Sequence, residues 1–91
     1  MKNKIILESL AMDLKRVALG LQRGSISMAE RFIEEALKRK NELNTKSLNP
    51  YVQKLIGRMV ESLKSKDNQK KAEDTLMYST LFQNAALNIK N

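Results

Sequence analysis

The amino-acid sequence predicts an all-α protein, a four-helix up-down-up-down bundle forming a single domain over residues 1–91. Three observations support this prediction. Apolar residues recur at intervals of three and four, only three Gly and one Pro interrupt the chain, and short connections join the periodic segments. A chain of this length buries roughly 60–65% of its unfolded surface, so oligomerisation is a common source of extra stability. The alternative architecture is therefore a three-helix core whose fourth helix completes a dimer.

The first helix is predicted over residues 3–22. Its apolar residues step three-four-three-four and form one stripe that faces the core, made of Leu7, Leu10, Leu14, Val17 and Leu21. Gly24 is predicted to end the helix as its C′ residue. Gly20 lies inside the helix, where it costs about 1 kcal/mol relative to Ala.

The second helix is predicted over residues 28–44, because Ser27 and Glu30 have the spacing of a capping box. Its inward face consists of Ala29, Phe32, Ile33, Ala36, Leu37 and Leu43. Its outward face carries charged residues at intervals of four, and Glu35 is expected to pair there with Arg39.

The third and fourth helices are predicted over residues 50–64 and 69–89. Asn49 followed by Pro50 has the pattern of an N-cap and first helical residue, since a proline lacks the N–H that would be unsatisfied there. Asp67 or Asn68 is expected to cap the fourth helix.

Two absent residue types exclude several chemistries. Without Cys there is no disulfide, thiol nucleophile or cysteine metal site, and without His the usual general base and imidazole ligands are missing. We therefore expect no catalytic activity, no metal, no cofactor and no small-molecule substrate.

Two further features bear on location. The apolar residues near the N-terminus are interrupted by Glu8 and Asp13 before they reach the length of a secretion signal, and no apolar run approaches the length of a membrane span. The sequence therefore predicts a cytoplasmic protein with no membrane span.

A second set of apolar residues faces away from the predicted core. Ile5, Met12 and Leu19 repeat every seven residues on the first helix, whereas Leu76 and Leu87 lie on the far side of the fourth, with Met77 between its faces. In a closed bundle these helices are antiparallel neighbours, which places Ile5 near Leu87 and Leu19 near Leu76 and Met77. The two stripes are expected to merge into one patch that self-associates or binds a protein partner. The competing interpretations are that these residues belong to the core or are scattered surface residues.

The net charge of +7 suggests an alternative function. Basic residues are predicted to gather at one end of the bundle, where a nucleic-acid-associated accessory protein would bind anions: Lys15, Arg16, Arg23, Lys64, Lys66, Lys70 and Lys71. Lys70 and Lys71 fall in the first turn of a helix, where the helix dipole disfavours cations, so a functional role is better indicated for them. Against this, Lys outnumbers Arg twelve to five, and Arg is the better residue for recognising phosphates and bases.

Overall fold

The computed structural model describes residues 2–89 and confirms the all-α bundle. Residues 2–89 contain no strand, and their elements are α1 (Asn3–Gln22), α2 (Ile26–Glu42), a short 3-10 helix (Thr45–Ser47), α3 (Pro50–Leu63) and α4 (Asn68–Leu87). The 3-10 helix was not predicted.

The contacts between helix ends establish the predicted up-down-up-down order. The Asn3 amide donates to the Asn44 carbonyl and the Asn44 N–H donates to Asn3 Oδ1, both at 3.0 Å, so α1 begins where α2 ends. Ser62 Oγ donates to Asp74 Oδ2 at 3.1 Å, which places the end of α3 beside the beginning of α4.

The ends of α1 and α4 are related in the same way. Gln22, at the end of α1, lines a shallow groove together with Asn68 and Gln69, at the start of α4. The two helices are therefore antiparallel, as predicted.

α1 is the central helix of the bundle. It packs extensively against α4 on one side and α2 on the other, whereas α3 packs mainly against α4 and touches α2 little. The buried residues of α1 consequently cover a wide arc: Ile6, Leu7, Leu10, Ala11, Asp13, Leu14, Val17, Ala18 and Gly20. Because α4 packs against α1 of its own chain, a fourth helix contributed by a second copy is not needed to complete the core.

The turn between α1 and α2 is a Schellman motif. Gly24 has φ +74° and is the C′ residue, as predicted. The Ser25 N–H donates to the Gly20 carbonyl at 2.8 Å, and the Gly24 N–H donates to the Leu21 carbonyl at 3.2 Å. The chain has therefore reversed by Ser25, and α2 begins at Ile26. The predicted start at residue 28 is wrong, because Ser27 lies inside the first turn.

The caps predicted for the other two helices are confirmed. Asn49 Oδ1 accepts from the Tyr51 N–H at 2.8 Å, with Pro50 as the first helical residue. Asp67 Oδ1 accepts from the Lys70 N–H at 3.1 Å at the start of α4.

Gly20 permits a close approach of α1 to α2. A Cβ atom at this position would lie 2.9 Å from the Ala29 nitrogen and 3.2 Å from the Ser25 carbonyl oxygen. These are backbone atoms of the turn and of α2, so they cannot move without separating the helices. The sequence indicated only the helix-propensity cost of Gly20, whereas the structure shows the packing that requires it.

We therefore expect Gly20→Ala to destabilise the protein by about 1–3 kcal/mol, because the overpacking outweighs the gain in helix propensity. Gly57→Ala in α3 is the matched control, since its Cβ would meet no atom within 4 Å. That variant should gain up to about 1 kcal/mol. Urea unfolding followed by circular dichroism measures both, and equal stability of the two variants would contradict the packing explanation.

Candidate interaction surfaces

The apolar residues predicted to form an interface lie largely on the surface. Five of the six are exposed, from 44% for Leu76 to 70% for Leu87, and Leu19 is half-buried. The large side chains that fill the core belong to other positions, including Leu7, Leu10 and Phe82. The exposed five are therefore additional to a core that is already filled without them.

The two exposed apolar residues of α1 and the half-buried Leu19 form a single line. We call Ile5, Met12 and Leu19 the α1 stripe, since residues seven apart lie on nearly the same side of a helix. Met12, at its centre, is 54% exposed. Two steps of seven residues span about 21 Å along the helix axis, so the α1 stripe runs along most of α1.

Charged residues separate the α1 stripe from α4. The α1 edge that faces α4 is marked by Ala11, whose carbonyl accepts from Ser79 Oγ at 2.6 Å. Successive residues of a helix are rotated by about 100° about its axis. This rotation places Lys4, Lys15 and Glu8, in that order, between the Ala11 edge and the α1 stripe. By this geometry, three charged residues stand between the α1 stripe and the edge of α1 that faces α4.

The apolar residues of α4 are themselves divided by the same helical geometry. Leu76 and Leu87 lie along the edge that faces α1, and we call them the α4 edge. Met77 lies about 100° away, toward the side that packs on α3. The single patch expected across α1 and α4 is thus resolved into the α1 stripe, the α4 edge and a separate Met77.

The other flank of the α1 stripe adjoins α2. The Arg16 guanidinium lies 5.3 Å from the centroid of the Phe32 ring, and the Arg31 guanidinium lies 5.7 Å from it. Phe32 was predicted to face the core, yet it is only half-buried between these two cations. Such cation–π contacts hold the guanidinium groups against the ring. Phe32 thus lies at the boundary between core and surface rather than within the core face that the sequence pattern predicted.

Asp13 is a buried carboxylate at the α1–α2 interface. Its Oδ1 lies 3.7 Å from Arg16 Nη1, and its Oδ2 lies 3.7 Å from Arg39 Nε. Neither Asp13 Oδ2 nor Arg39 Nε has a hydrogen-bond partner. The expected pairing of Arg39 with Glu35 is replaced by this contact and by a second one, to Glu42 at 3.7 Å.

Burial raises the pKa of the Asp13 carboxyl above its ordinary 3.8, and this effect outweighs the nearby Arg39 and Arg16 guanidinium groups, which lower it. The Glu35 carboxylate adds a smaller upward contribution. The sequence alone identifies Asp13 only as a charge that interrupts the N-terminal apolar run, because its position at the helix interface depends on the packing of α2.

Three of the seven predicted basic residues form ion pairs with carboxylates. Lys64 Nζ lies 3.5 Å from Glu61 Oε1, and Lys70 Nζ lies 3.3 Å from Asp74 Oδ2, while Arg16 contacts Asp13. Within residues 2–89 the remaining four form no ion pair: Lys15, Arg23, Lys66 and Lys71.

These basic residues do not form one cluster. By their positions in the chain, Arg23, Lys64, Lys66, Lys70 and Lys71 lie within about one helical turn of the bundle end where α1 stops and α4 begins. Lys15 and Arg16 lie eight and seven residues before Arg23, about 12 Å and about 10 Å back along α1. The end cluster therefore consists of five of the seven predicted residues.

The grooves offer little that is specific to a ligand. An open groove of about 680 Å³ between α3 and α4 has opposing charges on its walls, from Arg58 and Lys70 to Glu61 and Asp74. A smaller groove of about 330 Å³ lies where Tyr51 faces Ala85. In the part of the chain that the structure describes, no three acidic residues come together to hold a metal ion.

No helix among residues 2–89 combines the length and apolar character needed to cross a bilayer. No family model, no curated protein and no solved structure matches this chain. The function must therefore be argued from the surfaces described above.

The raised pKa of Asp13 gives a pH-dependent prediction. Because the folded state holds this proton more tightly than the unfolded state, Asp13 contributes stability below pH 3.8, and the contribution is lost as pH rises through the raised pKa. Asp13→Asn should therefore equal or exceed the wild type in free energy of unfolding at pH 7 and lose this advantage in acid.

Urea titrations of both proteins between pH 3 and pH 7 measure this difference, with Glu34→Gln on the exposed face of α2 as the neutralisation control. A wild-type advantage that grows as pH rises would mean that the arginines outweigh burial, and would contradict the assignment.

Proposed function

We propose that this protein is a non-catalytic helical interaction protein that self-associates or binds a protein partner through the outer faces of α1 and α4. The observation that carries the proposal is the exposure of Ile5, Met12, Leu76 and Leu87 beside a core that is already filled. Scattered apolar residues are normal on any surface, so their arrangement, rather than their exposure alone, indicates an interface.

That arrangement favours helix recognition. The α1 stripe places the exposed Ile5 and Met12 and the half-buried Leu19 on one line over about 21 Å, as in surfaces that bind an amphipathic helix. Glu8 and Lys15 border it on one side and Arg16 on the other, giving a polar rim around an apolar centre. The α4 edge adds Leu76 and Leu87 beyond the charged strip.

A nucleic-acid-associated accessory role is the second candidate. It is favoured by Arg23, Lys66 and Lys71, which form no ion pair in residues 2–89 and lie at one bundle end. Asp67 and Glu73 lie among them and reduce the local positive potential, so this candidate ranks below the first. Binding to labelled oligonucleotides in low salt, with a logarithm that falls linearly with log salt, would support it, and no binding there would exclude it.

Site-specific photo-crosslinking in the cells that make the protein tests the proposed function. A benzophenone amino acid replaces Met12 on the α1 stripe or, as the control, Glu34 on the exposed face of α2. We expect a discrete protein adduct from the Met12 position and not from Glu34. Equal labelling from both positions would contradict the proposal.

Met12→Lys separates binding from folding. Because Met12 is exposed, this variant should keep its free energy of unfolding within about 0.5 kcal/mol of the wild type. The same substitution places a charge at the centre of the α1 stripe, so a crosslinker at Ile5 should lose its adduct. Retention of that adduct in the Met12→Lys background would show that the α1 stripe is not the contact.

A further inference from the structure

Resting on the proposed function, we propose that the partner of the α1 stripe is a second copy of this chain, with the two α1 helices packed antiparallel about a two-fold axis at Met12. The partner in this arrangement presents the same surface, so every contact occurs twice.

The spacing of the α1 stripe is symmetric about Met12. Ile5 lies seven residues before it and Leu19 seven residues after it. An antiparallel copy centred at Met12 therefore brings Ile5 opposite Leu19 of the partner subunit and places the two Met12 side chains together. Each of the three apolar side chains of the α1 stripe is then opposite an apolar side chain of the partner subunit, and none of the three is opposite a charged side chain.

The charges beside the α1 stripe favour the antiparallel direction. Glu8 and Lys15 lie on the same flank, Glu8 four residues before Met12 and Lys15 three residues after it. In an antiparallel two-fold pair each flank meets its own copy, so Glu8 lies opposite Lys15 of the partner subunit, and this pair forms twice. A parallel two-fold pair would instead place opposite flanks together, so Lys15 would face Arg16 of the partner subunit, and this like-charged contact would form twice.

The second flank is compatible with the same arrangement. Arg16 is held beside Phe32 of its own chain and paired with Asp13, and its counterpart across the axis is near Ser9. No like charges meet on this flank. Binding to a different protein would not require the α1 surface to be complementary to itself. Binding to a second copy requires it, and the spacing and charges of the α1 stripe meet that requirement.

The absence of cysteine from the described chain allows a direct test of the register by single substitutions. We expect differently tagged Ile5→Cys and Leu19→Cys proteins to crosslink to each other with a short bis-maleimide. Ile5→Cys alone should not crosslink, because its two copies would be about 21 Å apart. Met12→Cys alone should crosslink efficiently. Efficient self-crosslinking of Ile5→Cys would establish a parallel pair and overturn the proposal.

Charge reversal provides a test that leaves the apolar residues unchanged. Glu8→Lys or Lys15→Glu should each weaken dimerisation, on the order of threefold to tenfold, because each places two like-charged pairs in the interface. The double variant should restore the wild-type affinity, measured by sedimentation equilibrium at 0.15 M salt. Unchanged affinity in both single variants, or failure of the double variant to recover, would refute this register.

Two outcomes separate this inference from the function on which it rests. A monomer at every concentration, together with a Met12 adduct to a different protein in cells, would refute the second copy and leave the interaction function supported. A monomer with no Met12 adduct would refute both.

Discussion

Much of this bundle depends on the requirement that α1 pack closely against two helices at once. Toward α2 the approach is set at Gly20, where a single added methyl group would meet the Ala29 backbone at 2.9 Å. Toward α4 it is set by Ala11, whose carbonyl accepts the Ser79 hydroxyl at 2.6 Å. Small residues let the helices come close on both sides. α1 is therefore buried over a wide arc, and only its outer strip can meet a partner.

The position of α1 also accounts for the two unusual features of its surface. Asp13 lies within the arc that α2 covers, so its carboxylate is removed from water with Arg39 and Arg16 at 3.7 Å rather than at hydrogen-bonding distance. On the outer strip, Ile5 and Met12 remain exposed and Leu19 is only half-buried, although core positions elsewhere are filled. The long Asp13–arginine contacts and the exposure of the α1 stripe thus both follow from the position of α1 between α2 and α4.

The sequence predicted features that depend on neighbouring residues and missed those that depend on helix register. Gly24, Asn49 and Asp67 act within one turn, so their roles at helix ends were predicted correctly. The start of α2 was wrong because a hydrogen bond across the preceding turn, from Ser25 to Gly20, decides it. The cation–π contact of Phe32, the burial of Asp13 and the charged strip beside the α1 stripe follow from how α2 and α4 align with α1, which periodicity does not specify.

If two copies pack through α1, the outer strip of α1 is covered in the dimer. Methionine oxidation tests this, because Met12, Met77 and Met59 of the same chain can be compared. Met12 is 54% exposed and Met77 47%, whereas Met59 is fully buried. In dilute protein treated with peroxide, Met12 and Met77 should oxidise at similar rates and Met59 should be protected. As concentration rises, oxidation of Met12 should slow while that of Met77 stays constant. Met12 oxidising as fast as Met77 at every concentration would contradict the account.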